Sequence, residues 1–216
     1  MCGRYLVKQS VRDWLRNALP LVDNTPDDLW RDRYNVPPDA RGQIPVVRLD
    51  QSGQAELVAL HWSYLPRWLP EKAKWRSIAT AEQAPTNGFF RDSFRKRRAL
   101  VPVSGFYEWD HKQTPARPNV IHLHEWKPFF LGAIWDTWHD ETGIALITTA
   151  ANQAMQPIHH RMPLIIEPER ALEWLTTDTP EAFLKPYAGG NLLAHTVGLS
   201  VNDVRNDGPE LIQAAR

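Results

Sequence analysis

Apolar residues along this 216-residue chain come in short runs whose spacing switches between a helical and an extended period. In "SVRDWLRNAL", Val11, Trp14, Leu15 and Ala18 recur at helical spacing, which predicts a helix with one apolar stripe, and Ser10 with Asp13 has the spacing of a capping box. "RYNVPPDA" follows as loop, because Pro37 and Pro38 impose extended backbone. "IPVVRLD", "QSG" and "AELVALHW" predict strand, turn and strand. "GFFRDSFRKRR" places Phe90 and Phe94 on one side of a short helix. "ALVPV", "GFYEW", "PFFLGAIWDTW", "GIALITTA" and "RMPLIIE" predict strands, "EPERALEWLTT" a helix with Pro168 in its first turn, and "LLAHTVGLSV" a late strand. There is no internal repeat, low-complexity segment or long linker. Many strands mixed with few helices predict the α+β class: one domain over residues 1–216, built around a curved, mainly antiparallel sheet or barrel with short flanking helices.

Composition narrows the chemistry. Hydrophobic residues at 43% and charged residues at 23% are those of an ordinary globular domain with enough apolar material for a core, and ten Trp with 18 Pro fit a chain of strands and turns. Lys and Arg total 25, as do Asp and Glu, so binding to a polyanion needs a local patch rather than a global field. A single cysteine excludes an internal disulfide and points to a reducing compartment. No apolar run approaches the roughly 18 residues of a membrane span, and "MCGRYLVKQS" does not read as a signal peptide. A cytoplasmic protein with no membrane partner is expected.

That cysteine is Cys2. Methionine aminopeptidases remove Met1 ahead of a small second residue, leaving an α-amine and a thiol on adjacent carbons. Both groups titrate at about pH 8, so a useful fraction of each is nucleophilic at neutrality. The amine condenses with an aldehyde to an imine, and the thiolate closes onto the same carbon to a five-membered thiazolidine, favoured because closure is intramolecular. Cys2 is equally readable as an incidental small residue, or as an N-terminal nucleophile whose amine serves as its base. Acid–base candidates lie in "GFYEWD" and "PIHHRMP". In a strand Glu108 shares a face with Phe106, and a carboxylate among aromatic rings can carry a proton near neutrality; the plain alternative is an edge-strand Glu in water. His159 lies in a turn shaped by Pro157 and Pro163, as a proton shuttle or simply a hydrogen-bonded loop His. His122 and His124 in "IHLH" would share a strand face, but nothing at ligand spacing joins them, so no metal is expected. No Gly-rich phosphate loop is present, and no nucleotide or other cofactor is expected.

Taken together, "MCGRY", "RYNVPP" at 33–38, "SGFYEW" at 104–109, "ITTAANQAMQPIHHRMP" at 147–163 and "NDGPELI" near the C-terminus resemble the SOS response-associated peptidase (SRAP) family in order and spacing, over residues 2 to about 213. The resemblance implies the α+β SRAP fold and covalent trapping of abasic sites in single-stranded DNA, shielding the lesion during the DNA-damage response. Weak lyase or peptidase character remains open. It implies the N-terminal aminothiol of Cys2 as the covalent centre and proton-transfer roles for Glu108 and His159. His160 falls where the family often has Asp and receives no role. Two other classes stay in view: a cysteine peptidase-like hydrolase, and a degenerate protein that binds single-stranded DNA without chemistry. The expected protein is a monomer, nucleoid-associated when bound to DNA.

The same resemblance implies phosphate contacts from Arg4 and Arg161, cleft contacts from Pro38 and Thr148, and a Trp68 wedge against bases, for which the alternative is one more core Trp. It also exposes departures. Where the family carries N-A-R-x-E, this chain reads "IATAE": Glu82 matches, but Ile78 replaces Asn and Thr80 replaces Arg, and a basic residue further on is Gly88. The resemblance implies that the missing side chains hold the abasic sugar and its phosphate, so a weaker grip is expected, with Asn87 the nearest residue able to re-form a contact. The run Arg91, Arg95, Lys96, Arg97, Arg98 offers further cations, read first as a solvated helix face with stems packed on the sheet.

Overall fold

The computed structural model of the chain describes residues 3–39, 42–70 and 74–215. In chain order the elements are β1 (Tyr5–Val7), α1 (Ser10–Ala18), β2 (Val22–Asp23), β3 (Arg33–Val36), β4 (Gln43–Leu49), β5 (Ala55–His61) and β6 (Ile78–Thr80). Then come α2 (Arg91–Lys96), β7 (Arg98–Val103), β8 (Gly105–Asp110), β9 (Arg117–Leu123), β10 (Phe129–Trp138) and β11 (Glu141–Ala150). The chain ends through β12 (Arg161–Pro163), β13 (Ile165–Ile166), α3 (Ala171–Thr176) and β14 (Leu192–Thr196).

Among the described residues the strands form two sheets. One has the order β14-β9-β8-β1-β3; the larger runs β12-β11-β10-β7-β4-β5-β2, with β13 added beside β10 and β6 beside β11. Most pairings are antiparallel, but β2 and β6 run parallel to β5 and β11. The larger sheet curls until β5 reaches β11 at His61 and Gly143. The approach there needs glycine, because a Cβ on Gly143 would collide with the Ser63 carbonyl. The predicted α+β domain around a curved, mainly antiparallel sheet is therefore what the chain forms.

Residues alternate between two cores. Phe106, Ile121 and Phe129 belong to the main cluster, while Leu6, Tyr107 and Val120 belong to a smaller one with Val197, Val201 and Leu211. β8 thus presents Phe106 to one core and Tyr107 to the other, and Glu108 is sent to the Phe106 side by the strand period. The stripe of α1 is as expected: Val11 and Leu15 are buried, and Trp14 packs on Phe130 at 4.9 Å between ring centroids.

Several local expectations are corrected. The Ser10/Asp13 capping box does not form: Gln9 is the N-cap, without a side-chain cap bond, and its N–H donates to Asp32 Oδ1 at 2.8 Å. The basic helix ends at Lys96, and Arg98 already opens β7. "EPERALEWLTT" starts as a 3₁₀ turn at Pro168–Arg170 before α3. "RMPLIIE" splits at Leu164 into β12 and β13. In "LLAHTVGLSV" the strand ends at Thr196, and Leu199–Asn202 is a 3₁₀ turn.

Candidate active site

Glu108 lies in the middle of β8, paired with Asn119 of β9, and is 1% exposed. The alternative of an edge-strand Glu in water is excluded, because β1 and β9 flank β8 on both sides. Pairing of β1 with β8 puts Tyr5 opposite Phe106, and the Arg4 carbonyl accepts the Tyr107 N–H at 2.9 Å, so the chain entering β1 runs beside the Glu108 end of β8. Cys2 lies outside the described residues.

His159 closes a compact loop between β11 and β12. The Ala151 N–H donates to the His160 carbonyl at 3.0 Å, which joins the loop ends, and Met155, fully buried, fills the inside. The Lys112 ammonium ties Pro157 O to the β8–β9 turn at 2.7 Å. His159 Nδ1 accepts the Arg161 N–H at 3.0 Å in the tautomer protonated on Nε2, and the Arg161 carbonyl lies 3.3 Å from the same nitrogen. Burial lowers its pKa below the ordinary imidazole value, and Glu108, close enough to act on its charge, pulls the other way. His160, exposed, stacks on His159 with centroids 4.3 Å apart and planes 28° apart, and His111 stands edge-on to His159 at 6.4 Å. Neither neighbour was expected from sequence, because both contacts depend on the loop's fold.

Arg161 forks onto Glu82 through Nη1 and Nη2 at 2.8 and 3.1 Å and also reaches Thr148 O at 2.6 Å. The Arg161 bond holds the Glu82 carboxylate down at about 2 despite some desolvation. Arg161 Nε is buried and finds no acceptor among the described residues. Thr148 is fully buried beneath this pair, opposite Thr80 in the parallel β6–β11 register, with Ile78 opposite Leu146. Ala79 points inward and is buried, whereas Ile78 and Thr80 are half-buried. The departures from the family pattern thus line the outer side of β6. Gly88 is exposed with nothing within 4 Å of an added Cβ, and Asn87 uses its Oδ1 on the Phe89 N–H at 2.9 Å.

Trp68 is not a core residue: it is 59% exposed at the tip of the 66–69 turn. Asp136, fully buried on β10, anchors that turn by accepting the Arg67 N–H and Nε–H at 3.2 and 2.8 Å, and Trp138 Nε1 donates to Leu69 O at 2.9 Å. Pro38 is half-buried at the end of β3. Arg4 is committed inside the protein, donating to Asn35 Oδ1 at 2.6 Å and Val201 O at 2.8 Å. The basic run divides. Arg98 is buried on backbone carbonyls, Arg97 pairs with Asp92 and Asp136, and Arg91, Arg95 and Lys96 are exposed. His122 and His124 do not share a strand face, since β9 ends at Leu123; His122 stacks instead on Trp126 at 3.8 Å. Among the described residues no group of His, Cys, Asp or Glu is placed to hold a metal ion, and no helix is long and apolar enough to cross a membrane.

Comparison with known proteins places this geometry. The family model described as SOS response associated peptidase (SRAP) matches residues 1–204. The abasic site processing protein YoqW of Bacillus subtilis is 28% identical, with 99% of this chain and 100% of that protein covered. The abasic site processing protein YedK of Escherichia coli is 29% identical over 99% of each chain. The abasic site processing protein HMCES of Gallus gallus is 26% identical over 85% of this chain and 66% of its own length. A crystal structure of a protein from Bacteroides thetaiotaomicron superimposes over 100% of both chains with a TM-score of 0.83 at 20% identity, a likeness of fold.

Proposed function

Because the chain belongs to the SOS response associated peptidase (SRAP) family, we propose that it processes abasic sites in DNA, and that it does so by trapping them in single-stranded DNA as a thiazolidine on Cys2. The relatives named abasic site processing proteins support the substrate class. The observation that carries the chemical reading is a carboxylate, Glu108, buried on β8 within electrostatic reach of the half-buried His159 imidazole.

An abasic deoxyribose opens to an aldehyde. The Cys2 α-amine, freed by removal of Met1, adds to the aldehyde carbon to give a carbinolamine. Loss of its hydroxyl as water, with a proton supplied by the enzyme and the nitrogen's own proton returned to it, leaves an imine. The thiolate then bonds to that carbon while the imine nitrogen takes up a proton, so the ring closes with no change in oxidation state. Each step moves a proton, and a neutral His159 with its proton on Nε2 beside a carboxylate is equipped to pass one in either direction. Trp68 is an exposed aromatic surface for an unstacked base. Ile78 offers no hydrogen bond to the opened sugar, and Thr80 brings no charge to its phosphate.

The test is adduct formation. The Met1-processed protein is mixed with an oligonucleotide bearing one abasic site, heated in detergent and run on a gel. A shifted band is expected from the wild type and none from Cys2→Ala or from a protein with its α-amine blocked by an uncleaved tag. A band of unchanged yield in Cys2→Ala would overturn the covalent reading.

A further inference from the structure

A line of side chains leads from the Trp68 turn toward β6. Trp68 meets the ring of Phe89 edge-on, with centroids 6.4 Å apart. The Arg76 guanidinium lies over the same Phe89 ring, 5.6 Å from its centroid. Tyr64 fixes both partners: its backbone pairs with that of Arg76 at 2.8 and 2.9 Å, and its hydroxyl donates to Phe89 O at 3.0 Å. Arg76 is therefore exposed yet pre-positioned, two residues ahead of β6, the strand that carries Ile78 and Thr80 in place of an amide and a cation.

Three other cations that could serve the site are already engaged. Arg161 is forked onto Glu82, Arg67 is bonded to the buried Asp136, and Arg4 is tied to Asn35. Presenting either of the first two to a phosphate means breaking an ion pair. Among the described residues Arg76 donates only to the carbonyls of Lys74 and Trp75, at 3.0 and 3.4 Å, and forms no salt bridge. The Phe89 ring takes one face of its guanidinium, which leaves N–H groups at the edge, the geometry that suits a phosphate.

We propose that Arg76 is the phosphate-binding cation of this end of the cleft, and that Arg76, Phe89 and Trp68 together hold one nucleotide of single-stranded DNA, its phosphate on Arg76 and its base against Trp68. The proposal rests on the reading of single-stranded DNA as the partner. It assigns to Arg76 the anchoring that Thr80 cannot supply.

The test separates binding from chemistry. Fluorescence anisotropy of labelled, undamaged oligothymidine measures non-covalent affinity across a salt series, and adduct yield on an abasic oligonucleotide is read in parallel. Arg76→Gln is expected to weaken oligothymidine binding by about three- to tenfold and to lower the slope of log K against log salt by about 0.7, one single-strand phosphate contact. Arg76→Lys is expected to restore the slope, and Lys185→Gln, another exposed cation, to leave it unchanged. An Arg76→Gln protein with wild-type affinity and slope overturns the inference. Wild-type protein that binds oligothymidine through Arg76 but forms no adduct leaves the inference standing and removes the covalent reading. Wild-type protein that binds neither oligonucleotide overturns both.

Discussion

His159 is held by a backbone donor on one side and influenced by a carboxylate on the other, and its titration reports both. Its folded-state pKa is lowered from 6.5 mainly by burial, with Glu108 opposing. As pH falls through 6.5 the unfolded chain takes up this proton before the folded one does. The stability gained by keeping the ring neutral is thus present above that pH and lost below it. NMR titration is expected to place His159 below 6.5, and lower still in Glu108→Gln, where the opposing charge is gone. A long-range nitrogen–proton correlation spectrum at neutral pH is expected to show the proton on Nε2, because the Arg161 N–H occupies Nδ1. At this scale the sequence already pointed to Glu108 and His159 as residues worth attention. It could not show their burial, since that depends on β1 and β9 flanking β8 and on the closure of the 151–160 loop.

At the scale of elements, β10 does two jobs on its two faces. Trp135 receives the Arg48 guanidinium at 4.3 Å, and Asp136, on the other face, holds the Trp68 turn through Arg67 and the end of α2 through Arg97. Asp136→Ala is expected to cost about 3 kcal/mol in denaturant unfolding, because Arg97, mostly buried, loses a carboxylate partner. Hydrogen exchange is expected to quicken over residues 64–70, where the turn loses its anchor. The period of "FFLGAIWDTW" was enough to predict the strand. The duty of Asp136 was not legible, because Arg67 and Arg97 lie 69 and 39 residues away in the chain and only sheet closure brings them to it.

Across the whole molecule, Arg98 illustrates how a charge-rich segment can be structural. Its side chain, 6% exposed, donates to five carbonyls: Phe94 and Arg95 at the end of α2, and Trp174, Leu175 and Thr177 at the end of α3. A cation placed where two helices end satisfies carbonyls that have no partner within the helix and opposes their partial negative charge. Arg98→Met keeps much of the volume and removes those donors, so a loss of about 3 kcal/mol is expected in thermal or chemical unfolding. The salt dependence of DNA binding is expected to stay unchanged, which distinguishes this duty from phosphate contact.

The sequence by itself determined the class of fold, the order of most strands and the apolar stripe of the first helix, and it carries the motifs that single out Cys2, Glu108 and His159 as candidates. These features are set by local period and by residue type, which survive in one dimension. Tertiary structure alone decided which cations are available and which are engaged. It seated Arg98 on carbonyls, bound Arg97 to Asp136, forked Arg161 onto Glu82, and left Arg76 on the face of Phe89. The physical reason is that a charge's availability depends on its partners and its burial, and both are set by segments that meet only when the sheets close.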